Sequence, residues 1–325
     1  LNKNTITRLS RRDALTLLAA TASAGPVLAQ TAPAAPRKLK LGMASRHLQF
    51  MIDIDEAVAF AREAGFEAIE WGVRAGAHIE PARVKQDLPT VVEKTRKAGV
   101  AVEMIITGIQ DDQTPYAEDI LSTAQSLGIR HYRNSAYYRY DYAKPLISQI
   151  EALTPRLASL IALNQRYNTV LCYHTHSAPG MIGGNVWDIW TALRSLDPAT
   201  LGLNYDSAHT SIRNGAAGWR DAALVASPYV KALGLKDFRW VKNASGRTVS
   251  EFCPMGEGDV DFDQFFGFFR DMQFNGPVNI HFEHSNLLGT DVGKWFPAMS
   301  KAEILGIFQR DVAFARSKMQ TAGFA

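Results

Sequence analysis

The 325-residue chain reads as an α/β protein, a single-domain (β/α)8 TIM barrel. Three observations predict this. Strand-like and helix-like segments alternate eight times from Leu39 to the last helix. No glycine-rich dinucleotide fingerprint follows the first strand, which argues against an open doubly wound sheet. Histidines and carboxylates recur at the ends of several strands, the end where a barrel of this type carries its site.

The units follow in order. LKLGMAS (39–45) is a strand, and DIDEAVAFAREAG a helix capped by Asp53 and stopped by Gly65. FEAIEWGV is the second strand, with a helix from about Pro81 to Gly99. VAVEMIITGI precedes the helix PYAEDILSTAQSLG, and IRHYRNSAY precedes one long helix, KPLISQIEALTPRLASLIALNQRYN, interrupted at Pro155. TVLCYHTH is the fifth strand, before VWDIWTALRSLD. TLGLNYDSAH is the sixth, with a helix around Gly218 to Ala226. VKALGLKD leads through a loop to the helix DFDQFFGFFRDM, and GPVNIHFEH to the closing helix KAEILGIFQRDVAFARSKM.

Residues 1–29 are set apart as a cleavable export signal. A basic stretch, Arg8 to Arg12, leads into an apolar run from Ala14 to Leu28, and small residues place cleavage before Gln30. The run is too short, and too broken by Gly25 and Pro26, to cross a bilayer comfortably. The pair Arg11–Arg12 in SRRDAL resembles a bacterial twin-arginine signal, which implies a periplasmic or secreted protein. Residues 30–38 form a Pro/Ala linker, and 39–325 the barrel. The composition, 46% hydrophobic and 21% charged, is that of a soluble globular protein with ample core. A net charge of +3 without a basic, aromatic-interleaved patch excludes nucleic acid as the expected partner. Cys172 and Cys253 are expected to be unpaired, because a core of this size needs no staple. No membrane association is expected after signal cleavage, and the oligomeric state is left open.

The strand ends hold the candidate site. His174 and His176, two apart, share one face of the fifth strand. Glu70 ends the second strand, Asp206 the sixth with His209 just beyond it, and Lys236 and Asp237 the seventh. His281, Glu283 and His284 end the eighth. Neutral imidazoles and carboxylates suit a divalent cation such as Mn²⁺, Zn²⁺, Co²⁺ or Mg²⁺. Such an ion polarises a carbonyl or hydroxyl while a carboxylate or histidine moves the neighbouring proton. Lys236 is placed to stabilise an enediolate oxygen. Trp71, Tyr173, Tyr205, Phe238 and Trp240 are placed either to stack on a sugar ring or to fill the core.

The ordered pieces YHTH, YDSAH, LKDF, PMGEGDVDF and GPVNIHFEH resemble the xylose-isomerase-like TIM-barrel superfamily of sugar phosphate isomerases and epimerases, from Leu39 to the last helix. The resemblance implies metal ligands on strands five to eight. It carries these onto His174, onto Asp206, and onto His281 or Glu283. The chain departs from the pattern on strand seven, where a frequent His-x-Lys-Asp reads Gly234-Leu235-Lys236-Asp237. Either His176 or His209 replaces that ligand, or Lys236 replaces the metal's charge. The catalytic candidates are therefore Glu70, Lys236, Glu283 and His176; the metal candidates are His174, Asp206, His281, Glu283 and His209. The implied function is a metal-dependent isomerase or epimerase acting on a sugar or keto-sugar by enediolate chemistry. The alternatives are a lyase or dehydratase on a keto-glycoside or polyol, and a non-catalytic carbohydrate-binding barrel.

Overall fold

The computed structural model describes residues 38–284 and 299–324. The expected export signal, and all of the linker except its last residue, lie outside the described residues. Eight parallel strands close into a barrel in the order β1, β2, β3, β4, β5, β6, β7, β10 and back to β1. They are β1 (Leu41–Ala44), β2 (Ala68–Val73), β3 (Met104–Thr107), β4 (His131–Asn134), β5 (Val170–His174), β6 (Leu201–Asp206), β7 (Val230–Leu235) and β10 (Val278–Ile280). Helices wrap them: α1 (Ile54–Glu63), α2 (Val84–Lys97), α3 (Ala117–Ser126), α4 (Leu146–Glu151), α5 (Leu153–Arg166), α6 (Trp187–Leu193), α7 (Ser207–Val225), α8 (Phe262–Asp271) and α9 (Lys301–Thr321).

Strand alternation decides what enters the barrel and what faces the helices. In β2, Trp71 turns outward, and its indole N–H donates to Thr95 Oγ1 on α2 at 3.0 Å, while Glu70 turns inward. In β6, Tyr205 turns outward and its hydroxyl donates to the Trp219 carbonyl on α7, leaving Asn204 and Asp206 inside. Tyr173 stacks on Tyr138 and donates to the Ile182 carbonyl at 2.7 Å. Trp71, Tyr173, Tyr205 and Phe238 are therefore buried core, and Trp240 is 48% exposed on an outlying hairpin. Core packing, not sugar stacking, places the four buried rings. Both cysteines are buried free thiols.

Three elements differ from the sequence reading. The long fourth helix breaks at Ala152, and Pro155 lies in the first turn of α5, where its missing N–H has no helical partner to lose. Helix α7 starts directly after Asp206, eleven residues before the expected Gly218, and is bent at Gly215 (φ 80°, ψ 176°). Asp206 ends β6 and also caps α7, its Oδ1 accepting from the His209 N–H at 2.9 Å. The expected loop after β7 holds an antiparallel hairpin, β8 (Asp237–Lys242) with β9 (Thr248–Cys253).

Asp237 anchors the chain beyond that hairpin. Its carboxylate accepts from the N–H groups of Phe238, Gly256, Gly258 and Val260 at 2.8–3.1 Å. A Cβ at Gly258 would meet Asp237 Oδ1 at 2.3 Å, so only glycine lets the loop approach this closely. Asp237→Ala should cost about 1–3 kcal/mol, the penalty for orphaned amide donors. Urea unfolding reads this directly, and a midpoint equal to that of the parent would show that the cage is unimportant.

Candidate active site

The inward side chains at the C-terminal ends of the strands meet in one buried cluster. At its centre is Lys236, which follows β7 and is pinned by Ser207 at the start of α7. The Ser207 hydroxyl donates to the Lys236 carbonyl at 2.7 Å and accepts from its N–H at 3.0 Å. Lys236 Nζ lies 2.9 Å from Glu283 Oε1, 3.4 Å from Asp206 Oδ2 and 2.8 Å from His209 Nε2. Because His209 Nε2 accepts from the ammonium, its proton sits on Nδ1 and is donated to Ser177 Oγ at 2.8 Å. The His176 ring stacks on His209 with centroids 4.0 Å apart.

Below Lys236, His174 Nε2 and His281 Nδ1 lie 3.2 Å and 3.5 Å from Asp206 Oδ2. Ligands bound about 2.1 Å from a tetrahedral cation stand about 3.4 Å apart, so the spacing suits one divalent ion. The second nitrogen of each ring meets a polar group. His174 Nδ1 lies 2.8 Å from the Tyr137 hydroxyl, and His281 Nε2 lies 3.8 Å from Glu70 Oε2. The Tyr137 contact is the arrangement that orients a metal-bound imidazole. His281 Nε2 and Glu70 Oε2 are both buried without a hydrogen bond, and drawing the ring toward a cation would change that contact. The donor set therefore fits a divalent cation.

Gly234 explains the departure on strand seven. A Cβ built there would lie 2.8 Å from Asp206 Oδ2 and 3.2 Å from the His281 ring. The imidazole of His281, directly after the neighbouring strand β10, fills the space a side chain at 234 would claim. His281 thus joins His174 and Asp206, while His176, His209 and Glu283 form a second group of donors within 4.8 Å of one another. Glu70 is fully buried and bonded to Arg133 Nε at 2.7 Å. His284 pairs instead with Asp311 of α9 at 2.9 Å.

Several site residues escaped the sequence reading. Arg133 lies between outward Tyr132 and the strand end in β4, and strand alternation is the one signal that could have pointed to it. Tyr137 and Ser177 lie on loops without a periodic signal, and Phe252 arrives on the unforeseen hairpin, against His209 and Lys236.

Burial and charge set the protonation states. Burial holds His174 and His209 well below the ordinary imidazole range and lowers His176 to about 4. Burial pushes the Asp206 and Glu283 carboxyls upward, but Lys236 overcomes it and holds both well below the usual range. Glu70 is lowered against its burial by Arg133 and then His281.

A protein-family profile described as "Xylose isomerase-like TIM barrel" matches residues 58–302. A search of curated protein sequences finds no match. Among solved structures, an L-ribulose 3-epimerase superposes with a TM-score of 0.64 at 15% identity, over 87% of this chain and 95% of that one. The probable 3-DHS dehydratase AsbF of Bacillus anthracis gives 0.61 at 17%, over 83% and 98%. The IOLI protein with a bound zinc atom gives 0.63 at 12%, over 87% and 98%. At these identities the likeness is one of fold.

The protonation states carry a stability consequence. An unfolded histidine takes a proton near pH 6.5, whereas folded His176 does so only near 4. Below about 6.5 the unfolded chain therefore binds more protons, and stability falls with pH. The depressed Asp206 and Glu283 add a loss in the same direction only below about pH 4. Melting of chelator-treated protein should fall steadily from pH 7 to about pH 5, less steeply in His176→Gln. A flat profile over that range would contradict the neutral, buried assignment.

Proposed function

Because the chain belongs to the xylose isomerase-like TIM-barrel family, we propose that it is an enzyme acting on a sugar or keto-sugar by removing a proton beside a carbonyl, as an isomerase or epimerase. The observation that carries this reading is Glu283, a 15% exposed carboxylate held 2.9 Å from a buried ammonium that also lies 3.4 Å from Asp206 of the His174–Asp206–His281 group. Glu283 is the one carboxylate of the cluster that a substrate reaches, since Glu70 and Asp206 are fully buried.

In this reading His174, Asp206 and His281 hold a divalent cation. When bound, the ion supplies Lewis-acid polarisation of the substrate's carbonyl or hydroxyl oxygens. Glu283 takes the proton from the adjacent carbon. Lys236 keeps Glu283 ionised beforehand and donates to the oxygen on which negative charge develops. Glu283 then returns that proton to the substrate, and neutral His176, half-buried at the mouth, hydrogen-bonds a substrate hydroxyl. Glu70 acts as a positioning residue, orienting His281 while Arg133 balances its charge. Epimerisation, isomerisation and dehydration all begin with this proton transfer, which agrees with epimerase and dehydratase folds among the structural neighbours.

Deuterium exchange tests the step without a known product. Keto-hexoses incubated with the protein in D2O should lose the NMR signal of the proton next to the carbonyl. Glu283→Gln should slow this by about 10²–10⁴-fold, the usual contribution of a general base. Asp206→Asn and chelation should abolish it, and both should remove the rise in melting temperature that Mn²⁺ or Zn²⁺ gives the parent. Exchange that survives Glu283→Gln unchanged would sink the assignment of the base. A parent that gains no stability from any divalent ion would sink the cation.

A further inference from the structure

A cavity of about 670 Å³ opens beside the cluster, on the side of β1, β2 and β4. Arg46, Arg74 and Arg133 all line it, and among the described residues no aspartate or glutamate does. Arg46 lies in the turn after β1, Arg74 directly follows β2, and Arg133 ends its reach against Glu70. Two contacts join the cavity to the reacting centre. Tyr137 lines it and bonds His174 Nδ1 at 2.8 Å, and Arg133 bonds Glu70, which faces His281. We propose that this arginine-lined cavity binds an anionic oxygen group carried by the substrate, so that the protein acts on an acidic sugar, a carboxylate or phosphate ester, in preference to a neutral one.

The argument is one of charge. Arg133 has Glu70 as counter-ion, but among the described residues no carboxylate lies within 4.0 Å of Arg74. Gathering three guanidinium groups around one space sets like charges against each other. Burial lowers the proton affinity of Arg46 and Arg74; Glu283 partly offsets this at Arg46, and Arg133 lowers both further. A ligand oxyanion relieves that repulsion and accepts the paired N–H donors that guanidinium presents to planar oxygens. Gln49, Ser135 and Tyr137 supply neutral hydrogen-bonding groups for hydroxyls in the same cavity. Its volume lies within the ordinary range for small-molecule sites.

The inference rests on the reading of the neighbouring cluster as the reacting centre, but binding tests it without turnover. Calorimetric titration of the full chain with D-galacturonate against D-galactose, and with glucose-6-phosphate against D-glucose, compares each anion with its neutral partner. At least one anion should bind about tenfold tighter than its partner, a difference that shrinks as salt is raised. Arg74→Gln should bring the members of the preferred pair to within about twofold, and Arg74→Lys should restore part of the gap. Circular dichroism melting confirms that the variants are folded. Preference for galacturonate alone identifies a carboxylate, preference for glucose-6-phosphate alone a phosphate, and preference for both the shared oxyanion. Equal binding within both pairs, no measurable binding of either anion, or a gap that persists in Arg74→Gln overturns the proposal. Asp206→Asn separates the two readings, because it should lose proton exchange and keep the preference for the anion.

Discussion

The buried ammonium of Lys236 is the constraint around which this end of the barrel is organised. An ion taken out of water is tolerated only when its charge and its hydrogens are answered. Here Asp206, Glu283 and His209 answer them at 2.8–3.4 Å. The consequences reach outward. His209 must keep its proton on Nδ1, which requires an acceptor at Ser177. Ser207 must pin the Lys236 backbone from the first turn of α7. The β8–β9 hairpin sets Phe252 against both Lys236 and His209, so that the ammonium faces its partners and not bulk water.

Most of the barrel was legible because its strands obey a simple rule: apolar stems that alternate, then polar ends. That rule set Glu70, His174, Asp206 and His281 at the strand ends, and the structure brings them together. It failed where backbone geometry is not periodic. Thr248 to Cys253 carries threonine, valine and phenylalanine suited to a strand, yet it sits among polar and glycine residues that read as a loop. The start of α7 was hidden because Asp206 serves strand and helix at once, and Gly215 interrupts the helical pattern. Tyr137 and Ser177 depend on loop paths that no spacing encodes. The arginines were present as ordinary charges; only closure of the barrel turned residues 46, 74 and 133 into neighbours of one cavity.

Gly234 shows how one absent side chain is compensated in space. On β7 it pairs in register with Asn279 of β10, two residues before His281. A β-carbon at 234 would press on Asp206 Oδ2, so a histidine at that position could not coexist with the carboxylate as it stands. Neither His176 nor His209 takes over the place. His281 does, because residues 279 and 281 face the same side and the barrel brings its ring over the glycine.

The three carboxylates then differ by environment more than by chemistry, and environment assigns their work. Glu70 is bonded to Arg133 and sealed from solvent, which leaves it able to orient an imidazole and little else. Asp206 spends Oδ1 on the α7 cap and turns Oδ2 toward two imidazoles and an ammonium, the surroundings of a cation ligand. Glu283 alone combines a charged partner with an open side. A carboxylate whose affinity for protons is lowered by Lys236 is a weak base at rest, so in the proposed reaction its strength rises as substrate draws the ammonium toward a developing oxyanion. Such a movement couples deprotonation of the carbon to stabilisation of the charge it creates. In the proposed reaction one lysine thereby serves as counter-ion before proton transfer and as hydrogen-bond donor to the oxyanion during it.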